Sequence, residues 1–273
     1  MDEQQQEFEY VIDPHRVRPP KLKTIYFKFQ TRIVSATGTQ ADREHPHVLR
    51  LRTNPSLLAT VVQAAAAAAS LLPLQWFAAA AWPESAYPEW FLLPPRIVLK
   101  REMDDHPRSF DAEHAVYDRL GPLQGEVIPR LLGCIEYDGA RALLLSDIGG
   151  VCLADPGGGL VLQGRGDDEG QRARELGRLL GVALGALAAM GVSHDDTKSD
   201  NFHLVGEGES AKIMVVDLEQ VDLDLSKEDA AWAVRENVET LVGRWREHLE
   251  CLREDGFLPR EGKAQAKPLS VPW

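Results

Sequence analysis

The feature that most constrains this chain is a short polar cluster, His194 to Asn201, which lies between two apolar segments. Residues 171–190 carry leucine and alanine at helical spacing, and residues 212–217 have the sequence KIMVVD. Helical spacing predicts an amphipathic helix, and a short apolar run predicts a buried strand. The cluster is therefore expected on a loop that a helix and a strand hold in place. Taken alone, such a cluster is also typical of a polar turn that caps a helix.

Further groups of chemical interest precede this cluster. The β-rich segment RIVLKRE carries Lys100, and the helical pattern SFDAEHAVYDRL carries Glu113. Residues 128–135 and 142–145 have the composition of two strands joined by the turn sequence YDG, and a polar turn follows at Ser146–Gly150. In chain order, the groups are a strand lysine, a helical glutamate, a polar turn, His-x-Asp-x4-Asn and a strand aspartate.

This order of groups resembles that of the protein-kinase-like superfamily, over roughly residues 96 to 222. The segments VIPRLLG, ALLLSDIGG and SHDDTKSDN together also resemble a group of small kinase-like proteins that is widespread in fungi. The resemblance implies the α+β class and a protein-kinase-like bilobal fold, with a degenerate N-lobe and a shortened C-lobe.

The implied organisation has four parts along the chain. They are a flexible lead-in at 1–22, an atypical N-lobe at 23–146 with an alanine-rich segment at 54–83, a C-lobe at 147–256 with the catalytic loop at 194–201, and a disordered tail at 257–273.

The resemblance implies a role for each polar residue of the C-lobe. Asp196 matches the catalytic base that accepts the proton of the substrate hydroxyl, and Lys198 matches a residue that contacts the transferred phosphate. Asn201 and Asp217 match the two ligands of Mg²⁺, a hard cation that prefers oxygen. His194 is expected to brace the loop rather than to take part in chemistry.

In the N-lobe the resemblance implies a binding site for ATP. Lys100 matches the strand lysine that grips the α- and β-phosphates, and Glu113 matches the glutamate that orients this lysine. Ser146 and Ile148 match the hinge that contacts the adenine base.

The segment before Lys100 departs from the family pattern. Protein kinases carry a glycine-rich loop, G-x-G-x-x-G, that covers the phosphates, whereas here no glycine occurs between Thr39 and Gly121. Residues 38–49 are interpreted as a plain loop. The sequence therefore leaves open which residues replace the glycine-rich loop.

The catalytic segment departs from the pattern as well. Asp195 stands where regulated protein kinases have arginine, and its repulsion with Asp196 is expected to raise one carboxyl pKa. The triplet Asp217-Leu218-Glu219 resembles the Asp-aromatic-Glu of aminoglycoside and choline kinases, whereas Lys198 resembles the Ser/Thr protein kinases.

Two functions are compatible with these features. The first is an ATP-dependent phosphotransferase that uses Mg²⁺ and acts on a protein Ser/Thr or on a small hydroxyl compound. The second is a pseudokinase, a binding or scaffolding module without turnover, which the missing glycine-rich loop and the short C-lobe favour.

Composition narrows the partners and the compartment. The net charge of −12 argues against binding to nucleic acid, which requires an excess of Lys and Arg. Three widely spaced cysteines predict no disulfide framework, and with the polar, acidic N-terminus they favour a cytoplasmic location. The uncharged segment 54–83 is long enough to span a membrane, but its alanine content favours a buried helix.

Overall fold

A curled antiparallel sheet dominates the first half of the structure, a computed structural model that describes residues 21–41, 45–54, 93–103, 107–155 and 168–256. Its six strands are β1 (Lys23–Phe29), β2 (Arg32–Gln40), β3 (Val48–Thr53), β4 (Arg96–Arg101), β5 (Leu131–Tyr137) and β6 (Ala140–Ser146). They lie in the order β1-β2-β3-β4-β6-β5, and β1 also approaches β5, so the sheet curls upon itself.

Three segments interpreted from the sequence lie almost entirely outside the described residues. They are the lead-in at 1–22, the alanine-rich segment at 54–83 and the C-terminal tail at 257–273.

One tight turn joins two strands of this sheet as the sequence predicted. The β5–β6 turn has positive φ angles at Asp138 (53°) and Gly139 (74°), the conformation that favours a two-residue hairpin turn. The loop predicted at residues 38–49 was too long at both ends, because β2 continues to Gln40 and β3 begins at Val48. Gly38 permits this pairing, since a Cβ atom there would overlap the carbonyl oxygen of Arg50. The glycine and its polar neighbours hid the strand pattern.

The two faces of the sheet have different partners. One face encloses a core of large apolar side chains, which includes Phe27, Ile97 and Leu144. Because side chains alternate along a strand, Val98 and Lys100 of β4 point to the opposite face. That face packs against helix α1 (Pro107–Arg119) through buried residues that include Tyr117.

The second half of the structure is built around two long helices, α2 (Glu169–Ala189) and α3 (Lys227–Glu254). Each helix begins at a side-chain cap: Asp168 accepts a hydrogen bond from the Gln171 amide at 2.7 Å, and Ser226 accepts one from the Asp229 amide at 3.1 Å. Helix α2 was predicted at nearly these bounds. The two helices contact each other at Gly177, where an added Cβ would meet two valines of α3.

Short strands connect these helices to the sheet and position the polar cluster. They are β7 (Val151–Cys152), β8 (Val192–His194), β9 (Phe202–Val205), β10 (Lys212–Val215) and β11 (Val221–Leu223). Strands β10, β9 and β7 form one small antiparallel sheet, and β11 pairs with β8. The described residues thus form a mixed α+β fold with three α-helices, which confirms the predicted class. In the parts of the chain that the structure describes, none of these helices is long and apolar enough to cross a membrane.

Candidate functional site

The Lys100 side chain lies at the centre of a buried cluster of charges. Its Nζ atom is 2.8 Å from Glu113 Oε2, 2.7 Å from Asp217 Oδ1 and 2.8 Å from Glu219 Oε1. Only 10% of the Lys100 side chain and 1% of the Glu113 side chain are exposed. Three elements therefore meet at one ammonium group: strand β4, helix α1 and the segment that follows β10.

Glu219 is the member of this cluster that the sequence analysis did not place in the site. Its signal in the sequence was the triplet Asp217-Leu218-Glu219, in which two acidic residues flank a leucine. Leu218 is fully buried, and the carboxylates of Asp217 and Glu219 both contact Lys100. The Asp217 backbone has a φ of 59°, a left-handed conformation that is unusual for a residue other than glycine.

The cluster shifts the pKa of each group that is deeply buried in it. Burial raises the pKa of the Glu113 carboxyl above its ordinary value, although Lys100 acts in the opposite direction. Burial alone would lower the pKa of Lys100, but the three carboxylates outweigh it and raise this pKa. For Asp217 the effect of Lys100 outweighs that of burial, and the pKa is lowered. Lys100 and Asp217 are thus held in their charged forms.

Hydrogen bonds connect Asp217 to the polar loop at 194–201. The fully buried His194 ring donates from Nε2 to the carbonyl oxygens of Val216 (3.2 Å) and Asp217 (2.9 Å). The Val216 amide donates to the Asn201 carbonyl at 2.9 Å. These contacts agree with the bracing role expected for His194.

Within the loop, Asp196 is the residue that the other polar groups contact. The Asn201 Nδ2 atom donates to the Asp196 carbonyl oxygen at 3.2 Å, and Lys198 Nζ lies 3.1 Å from Asp196 Oδ2. The Lys198 side chain is 63% exposed, whereas that of Asp196 is 12% exposed. The three residues implied to surround the reacting groups are therefore mutually connected.

A cavity lies beside this cluster, with an empty volume of about 880 Å³ that includes its open mouth. Six of the predicted site residues line it: Lys100, Glu113, Ser146, Ile148, Asn201 and Asp217. Asp196 and Lys198 are not among its lining residues, but Asn201, which lines it, donates to the Asp196 carbonyl.

Several lining residues were not predicted. The connection from β2 to β3 contributes His45 and His47, strand β3 contributes Arg50, and β9 contributes His203. Burial lowers the pKa of His203, whose side chain lies in the wall of the cavity. His45 and His47 have little signal in the sequence, because a residue in a connection between strands follows no periodic pattern that would predict its direction.

Repulsion between Asp195 and Asp196 was expected to raise the pKa of one of the two carboxyls; the pKa of Asp195 is raised, but by other causes. Burial is the largest cause, followed by the Asp222 carboxylate on the neighbouring strand β11. Pairing between β8 and β11 brings these two residues together, a long-range effect that adjacency in sequence does not reveal.

Two sets of groups in the site carry oxygen atoms of the kind that bind a divalent cation, and they differ in whether every member of the set already contacts Lys100. Carboxylate oxygens of Glu113, Asp217 and Glu219 lie within 4.8 Å of one another, but the Lys100 ammonium already contacts all three. Asn201 and Asp217 line the same cavity and offer an amide and a carboxylate, a donor set that suits Mg²⁺. The side-chain nitrogen of Asn201 donates a hydrogen bond to the Asp196 carbonyl. The amide oxygen of Asn201 is therefore the atom available to coordinate a cation.

The sequence matches no protein-family model and no curated protein.

Proposed function

We propose that this protein is an ATP-dependent phosphotransferase with a protein-kinase-like bilobal fold. The observation that carries the proposal is the contact of Lys100 with Glu113 and Asp217 in one cavity that also includes Asn201. Asp217 is 117 residues from Lys100 along the chain, so a local sequence pattern does not account for their contact.

The proposed roles follow from the requirements of phosphoryl transfer, which depends on positioning and on neutralisation of charge. Lys100 would bind the α- and β-phosphates, with Glu113 fixing the direction of its ammonium. Asn201 and Asp217 would hold Mg²⁺, which supplies charge neutralisation between the phosphates. Asp196 would accept the proton of the acceptor hydroxyl, and Lys198 would contact the transferred phosphate.

The wall of the cavity away from the charges suits a flat heterocycle. Apolar side chains of Val98, Leu145 and Ile148 line it, next to the polar turn that begins at Ser146. We propose that the adenine ring lies there, against Ser146 and Ile148. The acceptor would be a protein Ser/Thr or a small hydroxyl compound.

A pseudokinase without turnover is the second candidate, and two contacts favour it. The Lys100 ammonium contacts three carboxylates, so a phosphate must compete with Glu219 as well as with the other two. Lys198 is paired with Asp196, the proposed base, at 3.1 Å. Both contacts would have to loosen before a nucleotide could react.

Nucleotide-dependent thermal unfolding tests whether the cavity binds ATP. Saturation at about 100 times Kd should stabilise the protein by about 2.7 kcal/mol. ATP should raise the unfolding temperature in the presence of Mg²⁺ and raise it less in EDTA, because two of the proposed ligands act only through the metal. No rise in either condition would refute both the enzyme and the nucleotide-binding pseudokinase.

Turnover distinguishes the two candidates once binding is seen. Asp196→Ala should lower the rate of ATP hydrolysis or transfer by 100-fold or more, since a positioned general base contributes about 10²–10⁴-fold. A suitable control is Asp118→Ala, which removes a carboxylate on the surface of α1 whose side chain is 69% exposed. Equal rates in wild type and Asp196→Ala would exclude Asp196 from the mechanism, and no turnover by wild type would leave the pseudokinase.

A cytoplasmic location belongs to the same proposal. It is supported by the free thiols of Cys134, Cys152 and Cys251, since a reducing compartment keeps cysteines in this form. Cell fractionation in which the protein is found in a secreted or membrane fraction would contradict it.

A further inference from the structure

The connection between β2 and β3 contributes to the cavity although it contains no glycine. Ala41, His45 and His47 all line the cavity, on the side of Lys100. These residues are therefore candidates to replace the missing glycine-rich loop.

Backbone hydrogen bonds fix the position of His47 relative to Lys100. The Arg101 amide donates to the His47 carbonyl at 2.9 Å, which continues the β3–β4 pairing by one residue. The Val48 amide donates to the His45 carbonyl at 3.0 Å, and the Ala41 amide donates to the Val48 carbonyl at 2.9 Å. His47 thus lies opposite the residue that follows Lys100, at a fixed place beside the charge cluster.

The surroundings of His47 keep its ring neutral in the absence of a ligand. Burial lowers the pKa of His47, and the positive charge of Lys100 and the ring of His45 lower it further, while Glu219 and Asp217 act in the opposite direction. A neutral imidazole still carries one N–H donor. The rings of His45 and His47 are 6.0 Å apart and meet edge to face.

Lys100 alone is a weak phosphate site, because its charge is already shared among three carboxylates. With all four groups ionised, their formal charges sum to −2. A polyphosphate entering the cavity therefore requires additional donors. On the β2–β3 side, the described lining residues that carry N–H donors on their side chains are His45, His47 and Arg50.

We propose that His47, with His45 beside it, donates to phosphate oxygens of the bound nucleotide and takes the place of the glycine-rich loop. This inference rests on the proposed function, because it concerns the nucleotide of the same site. Side-chain N–H groups would then make the contacts with phosphate that backbone amides make in a glycine-rich loop. Loss of one hydrogen bond to a charged group should weaken binding about tenfold, equal to about 1.4 kcal/mol.

Calorimetric titration of Mg²⁺-ATP, Mg²⁺-ADP and adenosine into matched variants tests the inference. His47→Leu keeps the approximate volume of the side chain without an N–H group, whereas His47→Gln keeps one. We expect His47→Leu to weaken ATP binding about tenfold, to weaken ADP binding less and to change adenosine binding less than twofold. His47→Gln should retain ATP affinity within about threefold of wild type.

A control variant and the contrary outcomes complete the test. His114→Leu changes a histidine on the surface of α1, with 38% of its side chain exposed, and should leave all three affinities unchanged. Equal ATP affinity in wild type and His47→Leu would overturn the inference, and so would an equal loss of ATP and adenosine affinity. Wild type that binds none of the three ligands would refute the proposed function itself, and with it the inference.

Discussion

Substitution of Lys100 by methionine is the perturbation that most directly tests the charge cluster. Methionine retains the apolar stem of the side chain but removes the ammonium that lies within 2.8 Å of Glu113, Asp217 and Glu219. The carboxylate oxygens, which lie within 4.8 Å of one another, are then left without their shared cation. We expect a large loss of stability rather than a neutral change.

The magnitude of this loss follows from the distances. Two unit charges separated by 4.8 Å repel by about 3.5 kcal/mol at an effective dielectric constant of about 20. The folded variant can avoid this repulsion by protonating Glu113, whose side chain is 1% exposed. Protonating a carboxyl with an ordinary pKa of 4.5 costs about 3.4 kcal/mol at pH 7, because each pH unit corresponds to about 1.36 kcal/mol. The expected destabilisation is therefore about 3 kcal/mol, near the lower end of values for broken buried ion pairs.

The destabilisation caused by Lys100→Met should also depend on pH. In the variant, the folded-state pKa of Glu113 lies above its unfolded value, so stability is lost as the pH rises and is regained as it falls. At pH 5 the cost of protonation decreases to about 0.7 kcal/mol, since the pH is then only half a unit above the ordinary pKa of 4.5. Most of the difference between wild type and Lys100→Met should therefore disappear between pH 7 and pH 5.

Urea unfolding followed by tryptophan fluorescence at both pH values measures these quantities. Lys212→Met is the matched control, because it breaks an ion pair of 2.7 Å with Glu126 whose side chains are 37% and 74% exposed. Exposed pairs contribute little, so this control should shift the midpoint far less. Lys100→Met could lower the free energy of unfolding no more than the control does, or by the same amount at both pH values. Either result would show that Lys100 does not neutralise the three carboxylates.

Two further predictions concern the surroundings of the site. Asp195→Asn should raise the thermal unfolding temperature at pH 7, because burial and Asp222 raise the folded-state pKa of Asp195 and make its ionised form unfavourable. The gain should shrink as the pH falls through that raised pKa and vanish below the ordinary value of 3.8, and a gain that persists there would contradict the assignment. Gly38→Ala should destabilise the protein by about 1–3 kcal/mol, because the added Cβ meets the Arg50 carbonyl in the paired strand; unchanged urea unfolding would show that β2 and β3 are not paired there.

The predicted groups that the structure brings together at Lys100 are those whose direction follows from a local period. Lys100 alternates with the buried Ile97 and Leu99 of its strand, and Glu113 lies three and four residues before Val116 and Tyr117 on one face of α1. Asp217 follows a run of buried residues. In each case a few neighbouring residues determine which way the side chain points.

The groups that were missed depend on pairings between distant segments. Glu219 reaches Lys100 because the chain turns at Asp217, where φ is positive, and no periodic pattern signals such a turn. His47 lines the cavity because β3 pairs with β4, which lies more than 40 residues further along the chain. Asp222 meets Asp195 through pairing of β8 with β11. Strand pairing at long range is what a single sequence specifies least directly.

Helix α3 holds the polar loop in place. On α3, Asn237 donates to the His194 carbonyl at 2.9 Å, and Arg244 donates to the Thr197 carbonyl at 2.6 Å. These two side chains are seven residues apart, two turns of one helix face, and they contact the loop on both sides of Asp196. The fully buried Trp245 and neighbouring leucines anchor the same helix in the core that α2 shares. Helix α3 supplies both these hydrogen bonds and the apolar contacts that anchor it. The geometry of the loop therefore depends on α3.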